Sequence, residues 1–293
     1  MTAAPAESPR PLGPLHVRAL LLTTRKVGAY HHLTLSAPGI AERFRPGTFV
    51  ALSVGAGDAA YRTRLARRSF WVHRVKPTGG HGLTIEIVVE AVGPGTRWLA
   101  GLGQGAEIDV TGPLGRPFSL PKESPDQKQV SCVLVGHGHS AAPLFPLAER
   151  LRERGCAVTL VLSAPDETHL LAALEARRSA RAVTVVTGDG SVGLRGSLEA
   201  HLHGILERAA ADVVYACGPA PLLHAVALTA EAQGAWSQVA LEETLVCATG
   251  LCHGCAVPVV GEDGAPRTVR ACVDGPVFRG DRVRWADLTG VDA

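Results

Sequence analysis

The sequence predicts an α+β multidomain protein, with an antiparallel β-barrel first, a parallel α/β domain second and a small cysteine-rich domain last. Three observations lead there. The chain has 293 residues, enough for two domains of roughly 150 residues each and a third if it is small. The hydrophobic period changes from two to an alternation of strand and helix after a polar linker that closes at Lys128. Four of the seven cysteines stand after residue 246, in a stretch too short to fold without a staple.

Composition narrows the class before any motif is read. Hydrophobic residues make up 46% and charged residues 19%, so the chain has enough apolar surface to offset its ordering entropy and is neither disordered nor collagen-like. The net charge is +2, which gives no basic excess for nucleic acid or an anionic membrane surface. No apolar run approaches the roughly 20 residues of a transmembrane helix. Residues 1–14 are Ala/Pro-rich, lack the apolar segment of a signal peptide and are expected to be disordered, which points to a cytoplasmic protein. In that reducing compartment clustered cysteines bind metal or do redox chemistry more often than they form disulfides.

The barrel is expected over 15–121. Its strands are short alternating or β-branched runs: His16–Leu21, His32–Leu35, Phe49–Ser53, Phe70–Val72, Leu83–Val89 and Glu107–Val110. One short helix, Thr96 to Leu102, follows Gly93-Pro94-Gly95. The α/β domain is expected over 129–236, opening on a continuous apolar strand at Val130–Val135 and a helix through Leu144, Leu147 and Leu151. Strands at Ala157–Leu162, Ala182–Thr187 and Asp212–Tyr215 then alternate with helices at Thr168–Arg178, Ser197–Ala209 and Pro221–Gln233, the signature of a parallel sheet. The last unit is expected over 239–293.

The cysteines of that unit are the strongest motif. Cys247, Cys252, Cys255 and Cys272 have the spacing C-x4-C-x2-C-x16-C, the plant-type arrangement in which one loop presents three thiolates to a 2Fe-2S cluster and a later segment supplies the fourth. Gly250 and Gly254 lie between the ligands, where the loop must turn tightly and aim N–H groups inward. The competing reading is structural zinc, which usually uses paired C-x2-C knuckles; only Cys252 and Cys255 make one. Cys132, Cys156 and Cys217 read as core residues, with Cys217 also a candidate lining of a nicotinamide crevice.

Three further segments suit nucleotides. Val133-Leu134-Val135-Gly136-His137-Gly138-His139 is a strand entering a glycine loop and then a helix, an arrangement that presents N–H groups to phosphate. Tyr215-Ala216-Cys217-Gly218-Pro219 ends a later strand at the same carboxyl edge, where Gly218 permits close backbone approach; a simple strand-ending turn is the alternative. Arg67-Arg68-Ser69-Phe70-Trp71, with Gly93-Pro94-Gly95-Thr96, offers an arginine fork for diphosphate and an aromatic for a flat ring, unless the arginines merely guard an edge strand.

In this order the elements resemble the ferredoxin-NADP reductase-like superfamily, and within it the electron-transfer subunits of class 1B dihydroorotate dehydrogenase, from about Leu15 onward. The likeness rests on Arg67-Arg68-Ser69-Phe70-Trp71, Gly93-Pro94-Gly95-Thr96-Arg97-Trp98-Leu99, Val110-Thr111-Gly112-Pro113-Leu114-Gly115 and Gly188-Asp189-Gly190-Ser191-Val192-Gly193. It rests also on Tyr215–Pro219, on Leu241-Glu242-Glu243 and, most specifically, on Cys272-Val273-Asp274-Gly275-Pro276-Val277-Phe278.

The resemblance implies FAD in the barrel, NAD in the α/β domain and a 2Fe-2S cluster in the last unit. It places FAD against Arg68, Ser69, Phe70, Trp71, Val88, Val89, Glu90, Gly95 and Thr96, and NAD against Gly136, Gly138, Asp189, Cys217 and Gly218. It assigns no general acid or base. It implies a partner, the FMN-containing dihydroorotate dehydrogenase catalytic subunit, in a heterotetramer serving pyrimidine biosynthesis. A stand-alone NAD(P)H reductase for a ferredoxin, oxygenase or quinone, and a non-catalytic redox sensor, are the alternatives. Trp71 stands where the family has serine or threonine, Glu90 where arginine is more usual, and His137 and His139 interrupt a loop that tends to be all glycine. Acidic Asp166 and Glu167 after the second α/β strand favour NAD over NADP, because they would repel a 2'-phosphate, whereas Arg177, Arg178 and Arg181 further on would favour NADP.

Overall fold

The computed structural model describes residues 13–55, 67–122 and 129–289. The expected disordered N-terminus up to residue 12 and the linker residues 123–128 lie outside them.

Six antiparallel strands close the barrel: β1 (Leu15–Val27), β2 (Tyr30–Ser36), β3 (Phe49–Leu52), β4 (Arg68–Pro77), β5 (Leu83–Glu90) and β6 (Glu107–Leu114), in the order β1-β2-β5-β4-β3-β6, with β1 pairing β6. Alternation decides which face goes in. Leu33, Leu35, Ile85, Ile87, Val89 and Val72 fill the interior with no exposed surface, while His32, Glu86 and Val88 point out of the barrel. β1 and β2 meet across Gly28-Ala29, where Gly28 takes φ +57°, a value that glycine adopts without penalty. A four-residue helix α1 (Ile40–Arg43) and α2 (Pro94–Ala100) cap the barrel; Leu99 of α2 is fully buried.

The second sheet has the order β10-β9-β8-β7-β11-β12-β15. Its parallel strands are β7 (Ser131–His137), β8 (Ala157–Ala164), β9 (Ala182–Thr187), the two-residue β10 (Leu194–Arg195), β11 (Val213–Gly218) and β12 (Trp236–Leu241). Helices α3 (Leu144–Glu153) and α4 (Ala173–Ser179) bury Phe145, Leu147, Leu151 and Ala176 on one face; α5 (Glu199–Ala209) and α6 (Ala220–Ala232) bury Leu202, Leu206, Leu223 and Val226 on the other. The chain moves outward from β7 to β8 and β9, then returns to place β11 on the opposite side of β7. Open α/β sheets bind ligands at such a reversal, here the gap between the carboxyl ends of β7 and β11.

Two expectations are corrected. The helix expected at Thr168–Arg178 is a single 3-10 turn, Glu167–His169, followed by a break and α4. Its carbonyls are used elsewhere: Ala29 N–H donates to Thr168 O at 2.8 Å and Tyr30 Oη–H to His169 O at 2.6 Å, so the segment straps the α/β domain to the barrel instead of winding on. The α/β sheet also continues past its expected end at residue 236, because β12 runs to Leu241 and β15 (Val277–Arg279) adds antiparallel to it. Gln238 hides β12 in the sequence. It is polar yet buried, since its amide pairs with Ser119 as a strand would, accepting from Ser119 N at 2.9 Å and donating to Ser119 O at 2.7 Å.

The C-terminal unit holds a hairpin of β13 (Ala256–Val260) and β14 (Pro266–Arg270) and ends on α7 (Trp285–Thr289). Val257, Val259, Ala271 and Trp285 share one buried cluster with Val226 and Ala230 of α6, and the Trp285 ring stacks on His224 at 5.1 Å.

Candidate functional site

The barrel, the α/β sheet edge and the C-terminal unit meet around a cavity of about 310 Å³. Strand β4 supplies Arg68, Ser69, Phe70 and Trp71, β5 supplies Val88 and Glu90, and α2 supplies Thr96. Gly95 stands just behind, where a Cβ would lie 2.9 Å from Arg68 Nε, so the glycine lets the guanidinium lie against the α2 turn. Thr96 is held by its own cap, accepting from Gly93 N at 3.0 Å. Val89 is a correction. With period two, its neighbours face the cavity and its own side chain is buried inside the barrel.

The walls suit a flat, partly apolar cofactor. Trp71, braced edge-on by Phe49 at 6.4 Å, supplies a ring face, and Arg68 supplies positive charge. Ser69 Oγ is buried in this wall with no hydrogen-bond partner among the described residues. A buried hydroxyl left unpaired costs about 1–3 kcal/mol, so Ser69 is a donor and acceptor waiting for a polar ring edge. The cavity therefore fits a flavin.

The opposite wall was not foreseen from residue patterns. His139, Ala142, Pro276, Leu241 at the end of β12 and the irregular residues 242–245 after it line it. His139, read as part of a phosphate loop, turns to the carboxylates instead: its Nδ1 is 3.3 Å from Glu90 and its Nε2 3.9 Å from Glu242. His169 Nε2 is 3.8 Å from the other Glu90 oxygen. The negative charge that looked misplaced at Glu90 thus faces imidazoles. Burial pushes the Glu243 carboxyl above its usual range, and burial followed by Glu90 pushes the Tyr30 phenol up, keeping it a neutral donor to His169.

A second cavity, about 330 Å³, opens at the carboxyl edge of the sheet between His137, Ser163, Pro165, Gly188, Glu199 and Pro219. His137 Nδ1 is 3.0 Å from Ser163 Oγ, and burial lowers its pKa. The glycines beside it act by what they lack. A Cβ on Gly136 would meet Ala141 Cβ at 2.5 Å, and one on Gly218 would meet His137 Cβ at 3.3 Å. Gly138 takes φ +53° beneath Tyr30. Cys217 does not line this crevice: its side chain has no exposed surface and packs among Leu134, Leu144 and Tyr215, where burial raises the thiol far above its ordinary value. Asp189 is exposed beside the cavity, its Oδ1 accepting from Ser191 N at 2.9 Å. Among the described residues, no lysine or arginine lines this cavity.

Two residues beyond Leu245 the cysteine loop begins. Cys255 and Cys272 are buried with their sulfurs 3.3 Å apart, Cys247 is partly covered, and Cys252 is exposed. Backbone N–H groups converge on the sulfurs: Cys252 N and Thr249 N point at Cys247 Sγ at 3.4 and 3.5 Å, and Gly254 N at Cys252 Sγ at 3.5 Å. Burial works to raise the Cys247 thiol, but these N–H groups outweigh it and bring it down to about 6. To wind this tightly Ala248, Gly250 and His253 adopt φ +61°, +84° and +57°. Four sulfur donors wrapped by inward N–H groups fit a 2Fe-2S cluster, whose sulfides need such donors.

Residues 242–284 match the family model of the iron-sulfur cluster binding domain of dihydroorotate dehydrogenase B. Along most of its length the chain is similar to proteins named dihydroorotate dehydrogenase B (NAD(+)), electron transfer subunit. The one from Geobacillus kaustophilus is 34% identical over 256 residues, 86% of this chain and 92% of that protein. The one from Desulforamulus reducens is 30% identical over 255 residues, 87% and 92%. Among solved structures, the NADH-dependent reduced ferredoxin-NADP oxidoreductase of flavin-based electron bifurcation superposes with a TM-score of 0.77 at 29% identity, over 94% of this chain and 92% of that one. A ferredoxin NADP+ reductase from Neisseria gonorrhoeae shares the fold, with a TM-score of 0.57 at 21% identity over 75% of this chain and 92% of that one.

Proposed function

The chain belongs to the dihydroorotate dehydrogenase B electron transfer subunits, and from that membership we propose that it passes electrons between the FMN of a separate dihydroorotate-oxidising subunit and NAD. The net reaction of the complex is dihydroorotate plus NAD+ giving orotate, NADH and a proton, with two electrons crossing this chain.

One observation supports this reading above the others. Leu245 lines the barrel cavity and Cys247 opens the cysteine loop, so the Cα atoms of a cavity-wall residue and of the first cysteine are at most about 7 Å apart, and the two sites adjoin along the chain. Flavin, when bound, exchanges a hydride on one side and single electrons on the other. The chain's own residues position it: Arg68 and the Gly95-Thr96 turn take the phosphates, Trp71 takes a ring face, and Ser69 donates to the ring edge. Gly136, Gly138 and Gly218 clear the carboxyl edge for a dinucleotide. His137, Ser163 and Glu199 surround its far end, with no lysine or arginine among the described residues to hold a 2'-phosphate, which favours NAD. Cys247, Cys252, Cys255 and Cys272 hold the cluster, and the exposed Cys252 with Leu251 marks the side toward the partner.

We assign three units, a flavin barrel up to residue 121, a dinucleotide domain from 129 and a cluster unit beginning after Leu241, in a cytoplasmic heterotetramer with the FMN subunit. Among the described residues, no helix is long and apolar enough to cross a membrane. The test is co-expression with that subunit. A stable complex that reduces NAD+ with dihydroorotate, and loses this when either chain is omitted, is the expected result. Full ferredoxin reductase activity in the isolated chain, with no complex formed, would overturn the reading in favour of a stand-alone reductase.

A further inference from the structure

We propose that His32, His73 and Glu86 form a binding site for a divalent metal ion of the zinc class, on the outer face of the barrel and separate from both the flavin cavity and the cysteine loop. The three ligand atoms lie within 4.8 Å of one another, and all three residues are buried.

The backbone places them with some effort. His32 and Glu86 lie on the neighbouring strands β2 and β5, whose alternation sends both outward while Leu33, Ile85 and Ile87 fill the interior. His73 arrives by a β-bulge: Val72 pairs with Ile87 and Arg74 with Glu86, leaving His73 as an extra residue on β4. Bulges of this kind re-aim a side chain. The result is an imidazole with no exposed surface, clamped edge-on against Phe145 of α3 at 4.8 Å.

Its hydrogen bonding is incomplete. Among the described residues, His73 Nδ1 has only Ala142 O, at 3.4 Å, and its Nε2 is buried with no hydrogen-bond partner, the nearest carboxylate oxygen being Glu175 Oε2 at 3.8 Å. Buried polar atoms without partners are rare and point to a missing water or ion. Two imidazoles and one carboxylate are a common zinc donor set, completed by a water or a fourth side chain. Ligand atoms around tetrahedral zinc, with bonds of about 2.0–2.1 Å, lie about 3.4 Å apart. His32 Nδ1 and Glu86 Oε1 are 2.8 Å apart, so they need to open by roughly 0.6 Å, while His73, within 4.8 Å of them, closes by up to about 1.4 Å. Of the nearby cations, Lys76 faces Glu86 Oε2 at 3.8 Å, the oxygen turned away from His32, and Arg74 is held by Glu175. An ion here would pin three barrel strands beneath α3, directly behind Ala142 of the cavity wall.

The experiment uses the complete protein with flavin and cluster in place. It is incubated with micromolar zinc, passed through a desalting column, and its zinc, iron and flavin are measured together. The expected result is about one zinc per chain beside the cluster iron, lost in both His73→Gln and Glu86→Gln with iron and flavin unchanged. Absence of zinc from the wild type overturns the proposal, as does equal zinc in the variants, which would place the ion elsewhere. If His73→Gln fails to fold, His32→Gln serves in its place under the same two outcomes.

Discussion

Replacing Ser69 with alanine should move the empty and the flavin-loaded protein in opposite directions. Ser69 Oγ is buried in the cavity wall and has no hydrogen-bond partner among the described residues. In flavin-free protein the substitution removes an unsatisfied hydroxyl, a gain of about 1 kcal/mol at the low end of that penalty. In loaded protein it removes a hydrogen bond to the ring edge, a loss of about 1 kcal/mol. The binding free energy is the difference between these, about 2 kcal/mol, so the dissociation constant rises roughly 30-fold. The melting temperature of the flavin-free form rises by about 2 °C. Titrating FAD into deflavinated protein by fluorescence quenching gives the first quantity and a thermal melt gives the second. Ser69→Thr retains the hydroxyl and should bind within a few-fold of wild type. A lower melting temperature for flavin-free Ser69→Ala, or an affinity within twofold of wild type, would refute the assignment of this hydroxyl to the flavin.

Three other outcomes follow from the geometry. Cys252→Ser, at the exposed cysteine of the loop, should abolish the cluster spectrum and dihydroorotate-dependent NAD+ reduction while NADH-to-dye activity through FAD survives; equal loss of both would show that the cluster unit holds the whole fold. Gly250→Ala places a Cβ 2.6 Å from Val273 Cγ2 at φ +84°, so on top of about 1–2 kcal/mol of backbone strain the loop must shift, and iron per chain should fall well below wild type in purified protein. Glu199→Arg introduces positive charge at the second cavity and should raise the NADPH to NADH ratio of kcat/KM by about tenfold, worth about 1.4 kcal/mol; an unchanged ratio would place the adenosine ribose elsewhere.

Much of this architecture was legible because it rests on local rules. Period-two runs such as Leu83–Val89 can bury only one face, and the cysteine spacing is a direct record of loop geometry. What escaped was set by partners distant in sequence. The sheet was expected to end at residue 236, and Gln238 counts as a buried strand residue only once Ser119, from another unit, pairs with its amide. Thr168 and His169 read as helix until Ala29 and Tyr30 take their carbonyls. Val89 was grouped with its neighbours by motif, though the pleat turns it inward. The segment Leu241–Leu245 forms a cavity wall with no periodicity of its own, and His139 is recognisable as a cavity residue only once Glu90 and Glu242 stand on either side of it.

The pairing of β12 with β15 bears on how such a protein can be assembled. Ala240 lies opposite Val277, and Leu241 N donates to Pro276 O at 2.9 Å. The chain therefore leaves for the cysteine loop and returns from it at points one strand spacing apart, about 4.8 Å. Residues 242–276 form an excursion between adjacent strands, and a short hairpin turn could bridge the same gap. Seen this way, the cluster unit is a cassette: a two-cofactor reductase can acquire a one-electron outlet by lengthening a single turn, without rewiring the sheet that carries it.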